Sequence, residues 1–239
     1  YFGAERAGIK PIIGCDIYVR TSDSGLKTGF KWDRILLIAK NDLGYNNLMK
    51  IVTYGHLEGF DEKPLVSLEC IQENSEGLFA IYGGMSSILY QELSTDRLKQ
   101  AEEWVNKYQS IFDQEHFYVA AQNHGIPEES HVLKQLKPMA ASIGFKMVVT
   151  NNNHYLKKAD AEAHRILICI ERGEKLSEHN PKDFPTDQFY YRSPSEMEEA
   201  FADWPEELAN SEKIAEQCHI KIEINIGDKY EVSSSSLKL

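Results

Sequence analysis

Four ligand-type side chains stand just after apolar runs of this sequence: Asp16, His124, Asn152 and His154. Carboxylate oxygens and neutral imidazole nitrogens bind divalent metals such as zinc and manganese, whereas a neutral amide is a poor replacement for a carboxylate. If the apolar runs are neighbouring parallel strands, these side chains meet at one edge of a sheet. Together they predict a metal site.

The same residues have a simpler interpretation. Asn151, Asn152 and Asn153 form a run that is typical of a turn, and a histidine beside such a run can be merely hydrogen-bonded. If the preceding strand instead continues, Asn152 and His154 point to the same side, because side chains alternate along a strand. Both interpretations stay open at this point. The other six histidines are interpreted as structural or solvent-exposed: His56 in a loop, and His116, His131, His164, His179 and His219.

Several well-known chemical motifs are absent. The sequence has no GxGxxG, no P-loop, no GxSxG elbow and no HExxH. Its four cysteines (Cys15, Cys70, Cys169, Cys218) form no CxxC pair, so neither a disulfide framework nor a zinc knuckle is expected. Unpaired thiols are typical of a reducing compartment, which predicts the cytoplasm.

The elements that must position these side chains alternate between strand-like and helix-like segments. Predicted strands cover residues 10–13, 17–19, 34–39, 77–82, 117–121 and 146–150. Their nearly continuous hydrophobicity favours strands covered on both faces, as in a parallel sheet or barrel.

Helical periodicity lies between and after these strands. One predicted helix begins at Thr95 as its N-cap. A second runs from Pro127 to Gly144, and Pro138 is expected to kink or split it. After Asp160, an apolar stripe of Ala163, Ile166, Leu167 and Ile170 predicts a helix that ends at Gly173. Two more predicted helices follow: one begins at a capping box, Ser193 to Glu196, and the last contains Leu208, Ile214, Ala215 and Cys218.

These patterns predict an α/β fold of βα units with a helical C-terminal extension. We expect a β/α barrel portion at residues 1–158. A helical extension with a long surface loop at 174–191 occupies 159–232, and a flexible serine-rich tail occupies 233–239.

Composition narrows the function classes. The chain has 239 residues, of which 42% are hydrophobic, and a formal net charge of −11. That apolar fraction is enough to build a core. A protein whose main task is gripping duplex DNA needs a basic face, so the acidic balance argues against that class. No apolar run approaches the roughly 20 residues that a membrane-spanning helix needs.

Many segments together resemble the PHP (polymerase and histidinol phosphatase) domain at the N-terminus of the bacterial replicative DNA polymerase III alpha subunit. The matching segments occur in the family's order along nearly the whole chain. They are residues 7–16, 36–41, 44–48, 54–64, 150–155, 160–170, 189–197 and 212–218.

The resemblance implies a distorted, TIM-like β/α barrel of about seven strands when complete. Its strand ends can hold up to three divalent metals. Some members are metal-dependent 3′–5′ exonucleases, whereas others serve as a platform for the polymerase. The polymerase aspartates of the family lie in a separate downstream domain, so nucleotide addition is not expected of this chain alone.

Departures from the family pattern weaken the expected metal site. The family's first strand, with its paired histidines, is expected to be missing before Tyr1. Asp16 stands where the family usually has glutamate, Gly84 where many members have a ligating cysteine, and Asn152 where an aspartate is usual. His124 and His154 match the family. We therefore expect either no metal or one weakly bound zinc or manganese ion.

Three functions are compatible with these observations. The favoured one is a structural platform with an eroded metal site, whose partners are the polymerase core of the same subunit, other replicase subunits and, through the full-length protein, DNA. The alternative is a metal-dependent 3′–5′ exonuclease or phosphoesterase acting on DNA 3′ ends. A free-standing small-molecule phosphatase is disfavoured by the polymerase-type segments 54–64 and 189–197.

Overall fold

The computed structural model describes residues 1–26, 29–178 and 184–222. In that part of the chain, seven strands are interspersed with nine α-helices. The strands are β1 (Gly14–Arg20), β2 (Trp32–Ala39), β3 (Phe60–Asp61), β4 (Lys63–Val66), β5 (Leu78–Gly83), β6 (Phe117–Ala121) and β7 (Lys146–Val149). The helices are α1 (Phe2–Arg6), α2 (Asp42–Leu57), α3 (Leu68–Glu73), α4 (Ile88–Ser94), α5 (Leu98–Gln109), α6 (Pro127–Ile143), α7 (Ala161–Arg172), α8 (Pro194–Ala200) and α9 (Pro205–Gln217).

The strands form one sheet in the order β3-β4-β1-β2-β5-β6-β7. The α/β class and the helical C-terminal extension are confirmed, and the open sheet is consistent with a distorted barrel. Strands β5, β6 and β7 are parallel, as predicted. Strand β2 is antiparallel to both of its neighbours, so the prediction was wrong there. An apolar run indicates that a strand is covered, but it does not reveal the direction of the strand.

The two faces of the sheet contact different clusters. On β2, Ile35 and Leu37 point into the main core, whereas Leu36 and Ile38 pack against a smaller cluster on the other face. That smaller cluster is covered by α9 through Ile214 and Cys218. Since Asp16 lies opposite Leu36 in the β1–β2 register, it also belongs to the second face.

Helix termini that depend on local residues were predicted best. Helix α6 begins at Pro127 and is capped at its C-terminus by Gly144, whose φ of +77° is the left-handed conformation that favours glycine. The capping box of α8 is present: the Ser193 side chain accepts from the Glu196 N–H, and the Glu196 side chain accepts from the Ser193 N–H. Asp160 is the N-cap residue of α7, although its side chain makes no capping bond to that helix.

Three local predictions were wrong, and one was wrong in part. Residues 10–13 are not a strand, because Pro11 has no N–H to donate to a ladder. Thr95 ends α4 instead of starting α5, and its hydroxyl donates to the Gln91 carbonyl. His56 lies in the last turn of α2, not in a loop. Of the kink or split predicted at Pro138, the split does not occur, because α6 continues through that residue.

The predicted loop at 174–191 is described in part and contains one helical turn, Leu176–Glu178. The predicted tail at 233–239 lies outside the described residues.

Candidate functional site

A cavity of about 170 Å³ opens on the second face of the sheet, where β5, β6 and β7 end. Two of the predicted ligands, Asp16 and Asn152, line it, as do Arg34, Gly84 and Gln122. His124 and His154 are not among the lining residues. The structure therefore brings half of the predicted set to this cavity.

Asp16 is paired with an arginine. Arg34 Nη2 lies 2.6 Å from Asp16 Oδ2, and Arg34 Nη1 donates to Ser86 Oγ at 3.4 Å. The pair is a diagonal contact across the antiparallel strands β1 and β2. The Arg34 side chain is 34% exposed and the Asp16 side chain 48%, so the ion pair contributes at most about 1 kcal/mol to stability. Its chemical effect is larger, because it places a positive charge beside the carboxylate that a metal at this position would need.

Gln122 fills the space beside Gly84. A Cβ added to Gly84 would stand 2.8 Å from Gln122 Oε1, and the Gly84 φ of +79° disfavours other residues. Gln122 Nε2 donates to Thr150 Oγ1 at 3.0 Å, whereas its buried Oε1 has no hydrogen-bond partner among the described residues. Gly84, where the resemblance leads one to expect a ligating cysteine, therefore offers no ligand side chain and is crowded by an amide.

His124 is fully buried, and both of its ring nitrogens are hydrogen-bonded. Its Nδ1 lies 2.6 Å from Glu129 Oε1, in the first turn of α6, and its Nε2 accepts the backbone N–H of Asn152 at 3.2 Å. Since Nε2 accepts a hydrogen bond, Nδ1 is the ring nitrogen that carries the proton, and it donates a hydrogen bond to Glu129. The ring also stacks on Phe189 with 4.3 Å between centroids. These contacts tie the ends of β6 and β7 to α6.

His154 lies in an aromatic cluster instead of beside Asn152. Strand β7 ends at Val149, so the alternation that would have aligned Asn152 with His154 does not continue. The residue as a whole is exposed, yet its ring lies against Phe184 at 4.4 Å and His164 at 5.1 Å between centroids. Burial of the ring away from water lowers the pKa of His154 to about 4, and the positive charges that His164, Arg34 and His124 can carry act in the same direction. His154 is therefore neutral at pH 7.

As arranged, these residues do not fit a divalent cation. Asp16 faces a guanidinium, and both nitrogens of His124 are engaged in hydrogen bonds. Across residues 1–26, 29–178 and 184–222, no group of three or more His, Cys, Asp or Glu side chains is placed to hold a metal ion. The assignment of Asp16, His124, His154 and Asn152 as metal ligands stays a prediction.

Sequence reasoning missed the partners of these residues. Glu129 could have been found, because an acidic residue in a first helical turn five positions after His124 is within reach of it. Arg34 gave no such signal, since its approach to Asp16 depends on the antiparallel pairing of β1 with β2. Phe184 and Phe189 come from a segment that follows α7 in the chain, and no local pattern connects them to His154.

None of the helices in the described residues combines the length and apolarity that a bilayer crossing requires.

Comparisons with known proteins agree with this architecture. A family model described as the PHP domain matches residues 1–124. The DNA polymerase III subunit alpha of Thermus aquaticus is 37% identical to this chain over 96% of its length. The subunits of the same name from Treponema pallidum and Helicobacter pylori (strain 26695) are 35% and 30% identical over 90% and 100% of it. The chain spans about a fifth of the length of these relatives, 19% to 20%.

Proposed function

This chain belongs to the PHP domain family, and on that premise we propose that it is the PHP portion of a bacterial DNA polymerase III alpha subunit, where it serves as a non-catalytic platform for the polymerase body. The similarity to that subunit extends over 90% to 100% of the chain, well beyond residues 1–124. The partners are then the polymerase body of the same polypeptide, the other replicase subunits and, through them, DNA. The compartment is the cytoplasm.

The observation that carries the non-catalytic part of the proposal is the ion pair between Arg34 and Asp16. Two like unit charges 4 Å apart repel by about 4 kcal/mol at an effective dielectric constant of 20, and a dication doubles that charge. A metal at Asp16 would have to displace Arg34 or tolerate it. The engaged nitrogens of His124 and the missing ligand atom at Gly84 support the same conclusion.

The proposed non-catalytic role is tested by measuring the metal content and the nuclease activity of the chain together. The chain is loaded with Mn²⁺ or Zn²⁺ and freed of excess ion, its bound metal is quantified, and it is incubated with a 3′-labelled single strand with and without a chelator. We expect no retained metal and no released 3′ nucleotide. Chelator-sensitive release of 3′ nucleotides would contradict the platform and favour the metal-dependent 3′–5′ exonuclease.

The role of Arg34 has a direct test of its own. Arg34→Gln removes the positive charge beside Asp16, so Mn²⁺ should bind at least about tenfold more tightly than to the unaltered chain. Arg165→Gln is the matched control, because Arg165 pairs with Glu162 on α7 and does not line the cavity. Equal Mn²⁺ affinity in both variants, measured by calorimetric titration, would show that Arg34 does not exclude the ion.

A further inference from the structure

Helix α7 turns its apolar stripe away from the rest of the described chain. Ile168 and Cys169 are its buried residues. The stripe consists of Ala163, Ile166, Leu167 and Ile170, all of them exposed. Residues three and four apart share one side of a helix, so this stripe lies opposite the buried side. Leu167 and Ile170 are 63% and 69% exposed.

The orientation of α7 is fixed by its inner side. The His164 ring lies 5.3 Å from the Tyr155 ring and 4.7 Å from the Phe184 ring, between centroids. Turning the stripe inward would break these contacts. The amphipathic pattern of α7 is therefore satisfied only by something that covers its outer side.

An exposed apolar stripe differs from apolar side chains that are scattered singly over a protein surface. Isolated exposed apolar side chains are common on monomeric proteins, whereas a contiguous patch usually marks an interface. The four stripe residues follow one another along about two turns of one helix. On the other side of α7, Arg165 Nη2 pairs with Glu162 Oε1 at 2.6 Å within the helix itself. The outer side of α7 therefore has a stripe made only of apolar side chains.

We propose that the stripe of α7 packs against an apolar surface of the polymerase body in the same polypeptide. This inference rests on the proposed function and names the surface by which the platform works. About four-fifths of the relatives' length lies beyond the part that this chain matches, which leaves ample chain to cover the stripe. Helix α7 also lies outside residues 1–124, the part matched by the PHP family model, but within the part shared with polymerase subunits.

A second copy of this chain is the disfavoured occupant. Each copy carries a formal net charge of −11, and like net charges oppose self-association. A contact within one polypeptide avoids the entropic cost of bringing two molecules together. The stripe is also one continuous face of a helix, and such a face can pack as a ridge into a groove on the polymerase body.

The experiment compares the complete gene product with the 239-residue chain by hydrogen exchange and thermal unfolding. We expect the α7 amides to exchange at least about tenfold more slowly in the complete protein than in the chain. The double variant Leu167→Glu, Ile170→Glu should remove that protection and lower the unfolding midpoint of the complete protein by several degrees. It should leave the midpoint of the chain unchanged. Leu57→Glu is the matched control, because Leu57 is 77% exposed at the end of α2.

Three results would overturn the proposal. Equal exchange of α7 in the two proteins would show that nothing covers the stripe, and this comparison needs no variant to fold. A double variant that destabilises the chain itself would show that the stripe is already packed. A sedimenting dimer of the chain that the double variant dissociates would identify a second copy as the occupant. Chelator-sensitive nuclease activity would overturn the platform function alone, since it leaves α7 protection unchanged.

Discussion

His124 has a structural role in this protein instead of the metal-binding role that its place in the sequence predicts. Its position after β6 predicts a metal ligand, yet in this structure its ring nitrogens face Glu129 and the Asn152 backbone. A buried carboxylate needs such a partner, because an unpaired charge in the interior is strongly destabilising. Here the histidine holds the strand ends in place, which is a structural task.

Replacing His124 tests that task. His124→Ala leaves the Glu129 carboxylate, which is 1% exposed, without its imidazole partner. We expect the free energy of unfolding to fall by about 3 kcal/mol. Urea denaturation followed by circular dichroism provides the measurement. His131→Ala, on the exposed side of α6, should change it by less than about 1 kcal/mol. Similar losses in the two variants would argue against a special role for His124.

Asp33 is another buried acidic residue with a structural role. It is fully buried on β2 and accepts hydrogen bonds from the hydroxyls of Tyr82 at 2.7 Å and Tyr108 at 3.1 Å. It also accepts the N–H of Ile88, the first residue of α4. Burial raises the pKa of Asp33 to about 6, although these hydrogen bonds act in the opposite direction.

Asp33 should therefore make stability depend on pH. Its folded-state pKa of about 6 lies above the unfolded value of about 4, so the folded protein holds the proton more tightly. That contribution is complete below pH 4 and is lost as the pH rises through 6, about 3 kcal/mol in all. The variant Asp33→Asn cannot ionise at this position and serves as the reference. The free energy of unfolding of the unaltered protein, relative to that of the variant, should therefore decrease between pH 4 and pH 7. Parallel urea-denaturation profiles would contradict the raised pKa.

At the scale of single elements, local signals predicted much of the helical structure. The ends of α6, α7 and α8 follow from Pro127, Gly144, Gly173 and the Ser193 capping box, because a cap acts through neighbouring backbone groups. The start of α5 was missed because Arg97, which precedes it, makes no side-chain cap that a sequence could reveal.

Pro138 gives an element-scale prediction. It lies inside α6, where it cannot donate to the Lys134 carbonyl, yet its side chain is exposed. Pro138→Ala restores that bond, so the free energy of unfolding should rise by about 1–2 kcal/mol, less than the full cost of an interior proline because proline also restricts the unfolded chain. Lys134→Ala, an exposed helix position, is the control and should be nearly neutral. A less stable Pro138→Ala protein, measured by urea denaturation, would show that the proline sets a needed bend.

At the scale of the whole molecule, prediction from sequence was limited to the class of fold. The parallel run β5–β6–β7 follows the βα alternation that the apolar segments suggest. The antiparallel insertion of β2 depends on its pairing with β1 and β5, which no local window contains. The same limit applies to the cavity, since Arg34 reaches Asp16 only through that pairing.

The contact between α9 and β7 carries a prediction at this scale. Strand β7 is at one edge of the sheet, and Asn210 Nδ2 on α9 donates to the Met147 carbonyl at 2.8 Å in the interior. Asn210→Ala leaves that carbonyl unsatisfied and should lower the free energy of unfolding by about 2 kcal/mol. Asn106→Ala, at an exposed position of α5, should cost less than about 0.5 kcal/mol. Equal urea midpoints for the two variants would show that α9 does not secure the edge of the sheet.

Segments far apart in the chain meet beside the second face of the sheet. The Tyr1 hydroxyl donates to the Ile220 carbonyl at 3.0 Å, and Lys10 Nζ donates to the Ala215 carbonyl at the end of α9 at 2.7 Å. A ribosome must therefore translate past Ile220 before the first residues of this chain can reach their final neighbours. Until then the nascent chain displays Leu36 and Ile38 without the cover of α9, which is a natural target for chaperones that bind emerging polypeptides.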